Sequence, residues 1–250
     1  RAPQHPGGGG RVVTDPVHTV SRLAWRDGAL SEGARVVPEE CAVALTYNGG
    51  TAAVMMATPR DLEDFAIGFS LTEGIVDEAS AIAALDVVAV DGGLECRMWL
   101  GDAQAERLAQ RRRQIAGPTG CGLCGVESIA EALRPTAHVG AGRSVTPQQE
   151  MAAVQALAPL QELNIQTRAT HAAALWLPGS GIALLREDVG RHTALDKLAG
   201  AAARAARVKA LIEQLDTPGR PGGNMFIVYL KNAEAARVAQ TLRSLLSGGG

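Results

Sequence analysis

The stretch "HAAALWLPGSGIALLREDVGRHTALDKLAGAAARAA", residues 171–206, decides the fold class. Its first half holds two apolar runs around Pro178-Gly179-Ser180-Gly181, the composition of a hairpin turn between two strands. Its second half, from Val189 onward, reads as a helix. A hairpin leading directly into a helix does not belong to a purely parallel sheet. The chain is therefore read as α/β, with helices packed on a mixed sheet.

The same alternation extends toward the N-terminus. "ECAVALTYNGGTAAVMMATP", residues 40–59, reads as a hairpin turning at Asn48-Gly49-Gly50. A helix follows in "TPRDLEDFAIGFSLTEGIV", residues 58–76, where Pro59 suits the first helical position. Leu62, Phe65, Ala66 and Phe69 recur on one helical face, and Gly74 is the stop. "LDVVAVDGGLECRMWL", residues 85–100, is a second hairpin turning at Asp91-Gly92-Gly93, and residues 102–114 are helical in composition.

Val126, Ile129, Ala130 and Leu133 form a helical stripe that ends near Pro135. Thr146-Pro147-Gln148-Gln149 has the form of a capping box, opening a helix that runs to about Leu163.

Composition narrows the function. Of 250 residues 46% are apolar and only 3% aromatic, so aliphatic side chains must fill the core. A formal net charge of −2 argues against a general nucleic-acid binder, and the basic run Arg111–Arg113 reads as a solvated helix end. The opening "RAPQHPGGGG" reads as a flexible tail. No run has membrane-spanning length and no signal-like stretch opens the chain, which points to no membrane and to the cytoplasm. Four cysteines, Cys41, Cys96, Cys121 and Cys124, are then expected as thiols. Cys41 and Cys96 lie in strand-like runs and read as small buried apolar residues.

Chemistry concentrates in "GPTGCGLCGVESIAEAL", residues 117–133. One Cys-x-x-Cys pair is half of a structural zinc site, and no histidine lies close by in sequence to help complete it. A zinc deaminase needs a His-x-Glu that this chain lacks. A redox dithiol and a plain turn with two incidental thiols are further readings. Gly120, Gly122 and Gly125 strip side chains from around the sulfurs, and the helix that follows offers free N–H groups and partial positive charge. That combination favours a loop built to hold one reactive sulfur.

Two downstream motifs bear on the site. His171 at a strand start is either a core histidine bonded to backbone or a site residue. "EDVGRHTALDK", residues 187–197, is either a capped helix with ion pairs or a polar wall. In the first reading Arg191 pairs with Glu187, and His192 with Asp188 or Asp196, at helical spacing. In the second, Arg191 or His192 meets cofactor phosphates at a helix N-terminus.

"TGCGLCG" at 119–125, "THAAAL" at 170–175 and "EDVGRHTALDK", with the early "TPRDLEDFAIGFSLTEGIV", resemble the formate dehydrogenase accessory sulfurtransferase family, FdhD. The resemblance implies a cytidine-deaminase-like fold and a cytosolic sulfur carrier. Such a protein takes sulfur from a cysteine desulfurase as a persulfide. It passes that sulfur to the bis(molybdopterin guanine dinucleotide) molybdenum cofactor of formate dehydrogenase. Cys121 would carry the persulfide and Cys124 would assist, and Gly122 and Gly125 of the same loop would bind the cofactor. His171, Arg191 and His192 would face the cofactor, and the protein would be a homodimer with no permanent metal.

After about Arg204 this pattern stops. Residues 205–250 carry a Gly/Pro linker, then alternation through Phe226, Ile227, Val228 and Tyr229. A helical stripe of Ala235, Val238, Ala239, Leu242, Leu245 and Leu246 follows. This tail resembles the N-domains of type II secretion secretins. Three segments are therefore expected: a tail at 1–10, a sulfurtransferase domain at 11–204 and a divergent α-β-α segment at 205–250. Competing function classes are a non-catalytic binding module that docks through the tail, an inactive truncated or fused variant, and a zinc-stabilised domain.

Overall fold

The computed structural model of the protein describes residues 15–102, 104–106, 108 and 144–215. Its elements run β1 (Val17–Arg26), β2 (Ala29–Pro38), β3 (Cys41–Tyr47), β4 (Gly50–Ala57), α1 (Leu62–Thr72), β5 (Ile82–Val90) and β6 (Gly93–Leu100). They continue with α2 (Pro147–Leu157), α3 (Glu162–Thr167), β7 (His171–Leu177), β8 (Gly181–Asp188) and α4 (Arg191–Leu215). Residues 102, 104–106 and 108 are helical, as their composition predicts.

The central sheet has the order β4-β3-β6-β5, with β3 parallel to β6 and the other pairs antiparallel. This is the mixed sheet read from sequence. β1 pairs with β2, and β7 with β8, in two further antiparallel hairpins. The β7–β8 turn covers Pro178 to Ser180, with Gly179 at φ 83° and Gly181 at φ 78°. In the β3–β4 turn Asn48 and Gly49 have φ of 47° and 82°, the left-handed pair that a tight hairpin requires. Asn48 then ties its hairpin to β6. Its side chain donates to the Leu100 carbonyl at 3.1 Å and accepts the Leu100 N–H at 2.7 Å.

The core lies between this sheet and α1. Val43, Leu45, Phe65, Ala66 and Cys96 are wholly buried, and the Tyr47 hydroxyl bonds the Ser70 hydroxyl at 2.8 Å. Phe65 and Phe69 stack edge to face with ring centres 6.2 Å apart. Gly74, at φ 64°, ends α1 as expected.

Three expectations shift. α1 begins at Leu62 rather than at Pro59, because Thr58 is clamped by distant side chains and Asp61 turns through a left-handed φ of 55°. The helix from Thr146 keeps its capping box, with Gln149 N–H to Thr146 Oγ1 at 3.2 Å and the reciprocal bond at 2.9 Å. It ends at Leu157 instead of Leu163, because Pro159 supplies no N–H to continue it; a 3-10 turn at Ala158–Leu160 leads into α3. The β1–β2 hairpin is absent from the sequence reading, although Asp27-Gly28 is a turn dipeptide of the same kind as Asn48-Gly49. The expected helix at 126–133, the basic run at Arg111–Arg113 and the tail elements beyond 216 lie outside the described residues.

Candidate functional site

Residues 187–197 close β8 and open α4, and their polar side chains are mostly spoken for by other elements. Glu187 is buried. Its carboxylate accepts the N–H groups of Leu163 and Asn164 at 2.9 and 2.8 Å and the Thr170 hydroxyl at 3.2 Å. It thereby satisfies two of the donors left open at the start of α3. Asp188 and Lys197 form an ion pair of 2.6 Å with both side chains wholly buried.

That pair is wired to Thr58 on the far side of the sequence. Asp188 accepts the Thr58 N–H at 3.0 Å and the Gly190 N–H at 2.8 Å. Lys197 donates to the Thr58 carbonyl at 3.0 Å, and the Val189 N–H donates to Thr58 Oγ1 at 3.1 Å. Buried charge is tolerated when it is paired and its remaining sites are hydrogen-bonded, and this cluster meets that condition. The early motif "TPR" and the late motif "EDVGRHTALDK" are therefore two halves of one clasp.

The clasp decides where the exposed candidates stand. Arg191 and His192 are exposed in the first turn of α4, immediately after the Val189-Gly190 bend that Thr58 and Asp188 fix. His171 is exposed at the start of β7, directly opposite Asp188 in the hairpin register. The fold thus brings His171, Arg191 and His192 to one end of the β7–β8 hairpin. The ion pairs expected from helical spacing are corrected. Glu187 caps α3 instead of meeting Arg191, and Asp188 takes Lys197 instead of His192. Asp196 is held by Thr72 at 2.7 Å, with the His192 charge acting on it electrostatically.

Cys121, Cys124, Gly122 and Gly125 lie outside the described residues. The other two cysteines are described, and both are held as thiols. Cys96 is wholly buried on β6 with its Sγ toward the Leu62 carbonyl at 3.8 Å, and burial pushes its pKa up to about 12. Cys41, half-buried at the start of β3, donates to the Ala57 carbonyl at 3.5 Å. Burial, then the Glu39 carboxylate, raise its pKa, while Lys197 pulls the other way. Cys96 matches the small buried residue expected, and Cys41 is only partly covered. Among the described residues no group of three or more metal-ligating side chains comes together.

A groove of about 290 Å³ runs along β8 beside Arg60 and Glu162. Its arginines are already paired, Arg60 with Glu162 at 2.8 Å and Arg186 with Asp64 at 2.7 Å. The clasp around Thr58 is the feature that pattern reading missed. Its residues Asp188 and Lys197 stand in the motif, but helical spacing offers Asp188 to His192 and gives Lys197 no partner.

Comparison with known proteins matches residues 38–226 to the FdhD/NarQ family. The sulfur carrier protein FdhD of Agrobacterium fabrum is 51% identical over 187 residues, covering 74% of this chain and 69% of the relative. That of Cupriavidus necator is 46% identical over 200 residues, covering 80% and 69%. That of Bordetella petrii is 42% identical over 233 residues, covering 88% and 83%. A crystal structure from Desulfotalea psychrophila, of a protein assigned as a formate dehydrogenase accessory protein, superposes with a TM-score of 0.51 at 20% identity. That superposition covers 76% of this chain and 67% of the other, and it bears on the fold alone. The family match runs past the point near Arg204 where the motif reading stops, and nothing in these matches supports the secretin-like reading of residues 205–250. With its match spanning three-quarters of the sequence, the chain belongs to the FdhD/NarQ family.

Proposed function

We propose that this protein is a sulfur carrier that serves formate dehydrogenase, with Cys121 as the carrying residue. One observation supports that choice most directly. Of four cysteines, Cys96 is buried with a pKa raised to about 12 and Cys41 is raised as well, so neither offers a thiolate near neutral pH. Sulfur transfer in a family of sulfur carriers then falls to the Cys121/Cys124 loop. Glycines at 122 and 125 adjoin those cysteines in the sequence.

The first step is a thiol–persulfide exchange. The Cys121 thiolate attacks the outer sulfur of a cysteine desulfurase persulfide. A new S–S bond forms on Cys121, the donor's S–S bond breaks, and the donor cysteine leaves as thiolate, with no net oxidation. Cys124 resolves a stalled disulfide or relays the sulfur. The acceptor substrate is the bis(molybdopterin guanine dinucleotide) molybdenum cofactor, and the reaction belongs to the cytoplasm. His171, Arg191 and His192 are its phosphate contacts. They are exposed at one end of the β7–β8 hairpin, and the Thr58 clasp holds the bend that leads into α4.

The test is peptide mass mapping after incubation with a cysteine desulfurase and cysteine. The peptide containing Cys121 should gain the mass of one sulfur, lose it to reductant or cyanide, and fail to gain it in Cys121→Ser. Sulfur appearing on Cys41 or Cys96, or persisting in Cys121→Ser, would sink the assignment. For the cofactor half, Arg191→Ala and His192→Ala should weaken binding of guanosine diphosphate, the nucleotide end of that cofactor. Unchanged binding in both would remove them from the site.

A further inference from the structure

Glu187 and Asp188 are neighbours on β8, so their side chains leave the hairpin on opposite faces. Residues paired across the β7–β8 register share a face. His171 therefore belongs with Asp188, on the face where Asp188 meets Thr58 and Lys197. Ala172 belongs with Glu187, on the face where Glu187 meets Leu163 and Asn164 of α3. Thr170 stands on the Glu187 side as well, its hydroxyl donating to Glu187 Oε1 at 3.2 Å.

The strand itself specifies this arrangement weakly. A slip of one residue turns every side chain of a strand to the other face, and only unlike faces resist it. After His171, β7 continues as Ala172-Ala173-Ala174, which puts alanine on both faces. The turn does not impose the register either, because the ladder shifts between Leu175 and Trp176, on the way from the turn to His171. A slip would carry His171 from the Asp188 face to the Glu187 face, away from the bend that opens α4. The Thr170–Glu187 bond stands at the end of the strand where that matters. Its acceptor is anchored: Glu187 is 5% exposed and is held by two backbone N–H groups of α3 at 2.9 and 2.8 Å.

We propose that Thr170 and Glu187 are positioning residues, whose bond pins the register of β7 and keeps His171 on the face that carries Asp188. The consequence for binding rests on His171 as a phosphate contact, whereas the register does not. The two adjacent carboxylates then divide the site between them. Asp188 holds the Val189-Gly190 bend before Arg191 and His192, and Glu187 holds the strand end that presents His171.

Thr170→Val removes the hydroxyl, keeps a branched side chain that suits a strand, and leaves Glu187 its two donors from α3. NMR of the histidine rings, with His171 assigned by its loss in His171→Ala, reads the register without a ligand. The His171 signals should move or double in Thr170→Val while those of His192 stay, and Thr170→Ser should restore them. Guanosine diphosphate should bind Thr170→Val about tenfold more weakly, the order of one hydrogen bond to a charged group. In a His171→Ala background the same substitution should change nothing further, a coupling that general loosening of the fold would not produce. Unaltered His171 signals in Thr170→Val overturn the proposal, and so does an equal loss of binding in both backgrounds. If His171→Ala itself binds the nucleotide as the wild type does, the phosphate reading falls, and the ring signals alone decide the register.

Discussion

Gly68 of α1 and Gly200 of α4 face each other across a backbone-to-backbone contact. A Cβ on Gly68 would fall 1.7 Å from the Asp196 carbonyl oxygen, and one on Gly200 would fall 1.9 Å from the Asp64 carbonyl oxygen. Neither atom is the end of a flexible side chain, so the helices must separate to admit a methyl group. Gly68→Ala and Gly200→Ala should each destabilise by about 3 kcal/mol or more, the upper end for overpacking. Urea unfolding should show a lower midpoint with an unchanged slope. The double variant should cost less than the two added together, since one separation accommodates both methyls. A variant within about 0.5 kcal/mol of wild type would mean that the helices do not cross at these glycines.

The Asp188–Lys197 pair carries a different kind of dependence. Lys197→Met leaves a buried carboxylate without its cation, and should cost about 3–5 kcal/mol. Asp188→Asn leaves the ammonium unpaired and should cost a similar amount. Asp188→Asn/Lys197→Met removes both charges and should cost less than the sum of the two. A double-mutant cycle read by chemical denaturation gives the coupling directly. Strict additivity would show that the two residues do not act as a pair in solution.

Much of this fold was legible in local chemistry. Asn48-Gly49 and the Thr146 capping box each act through residues adjacent in sequence, and both appear where the pattern puts them. What local pattern could not supply was partner choice across the chain. Glu187, Asp188 and Lys197 look like helix-surface charges at convenient spacing. Glu187, however, is bonded to Leu163 and Asn164, while Asp188 and Lys197 pair with each other and with Thr58, some 130 residues away. The early helix start at Pro59 failed for the same reason, because long-range bonds to Thr58 override a local preference. His171 and Arg191–His192 came from motif resemblance, and the hairpin register explains why they share one end. The Cys121 loop was legible as chemistry, but it lies outside the described residues.

Asp196 should give the protein a pH-dependent stability. It is buried on α4, accepts the Thr72 hydroxyl at 2.7 Å, and its pKa is raised to about 6. Burial is the main cause and Glu73 adds to it, while the Thr72 bond and His192 oppose it. The folded state therefore holds this proton to a higher pH than the unfolded chain does. Its contribution is fully present below about pH 4 and is lost as pH rises through about 6. Asp196→Asn keeps an acceptor for Thr72 and should flatten that slope in unfolding midpoints measured from pH 4 to 7. A wild-type curve that rises across the window, or an equal slope in the variant, would contradict the assignment.

Thiol reactivity separates the roles of the cysteines without any partner protein. Alkylation proceeds through the thiolate, so a raised pKa and closed surroundings both slow it. Cys96, wholly buried with a pKa near 12, should resist iodoacetamide at pH 8 for as long as the protein is folded, and react only on unfolding. Cys41, half-buried beside Glu39, should react slowly. Fast reaction should be confined to Cys121 and Cys124, and Cys121→Ser/Cys124→Ser should abolish the fast phase while leaving the slow one. Peptide mapping over an alkylation time course reads all four sites at once. If Cys41 led that order, its thiolate would be available near neutral pH, and the argument that assigns sulfur carriage to Cys121 by the inertness of the other thiols would fail.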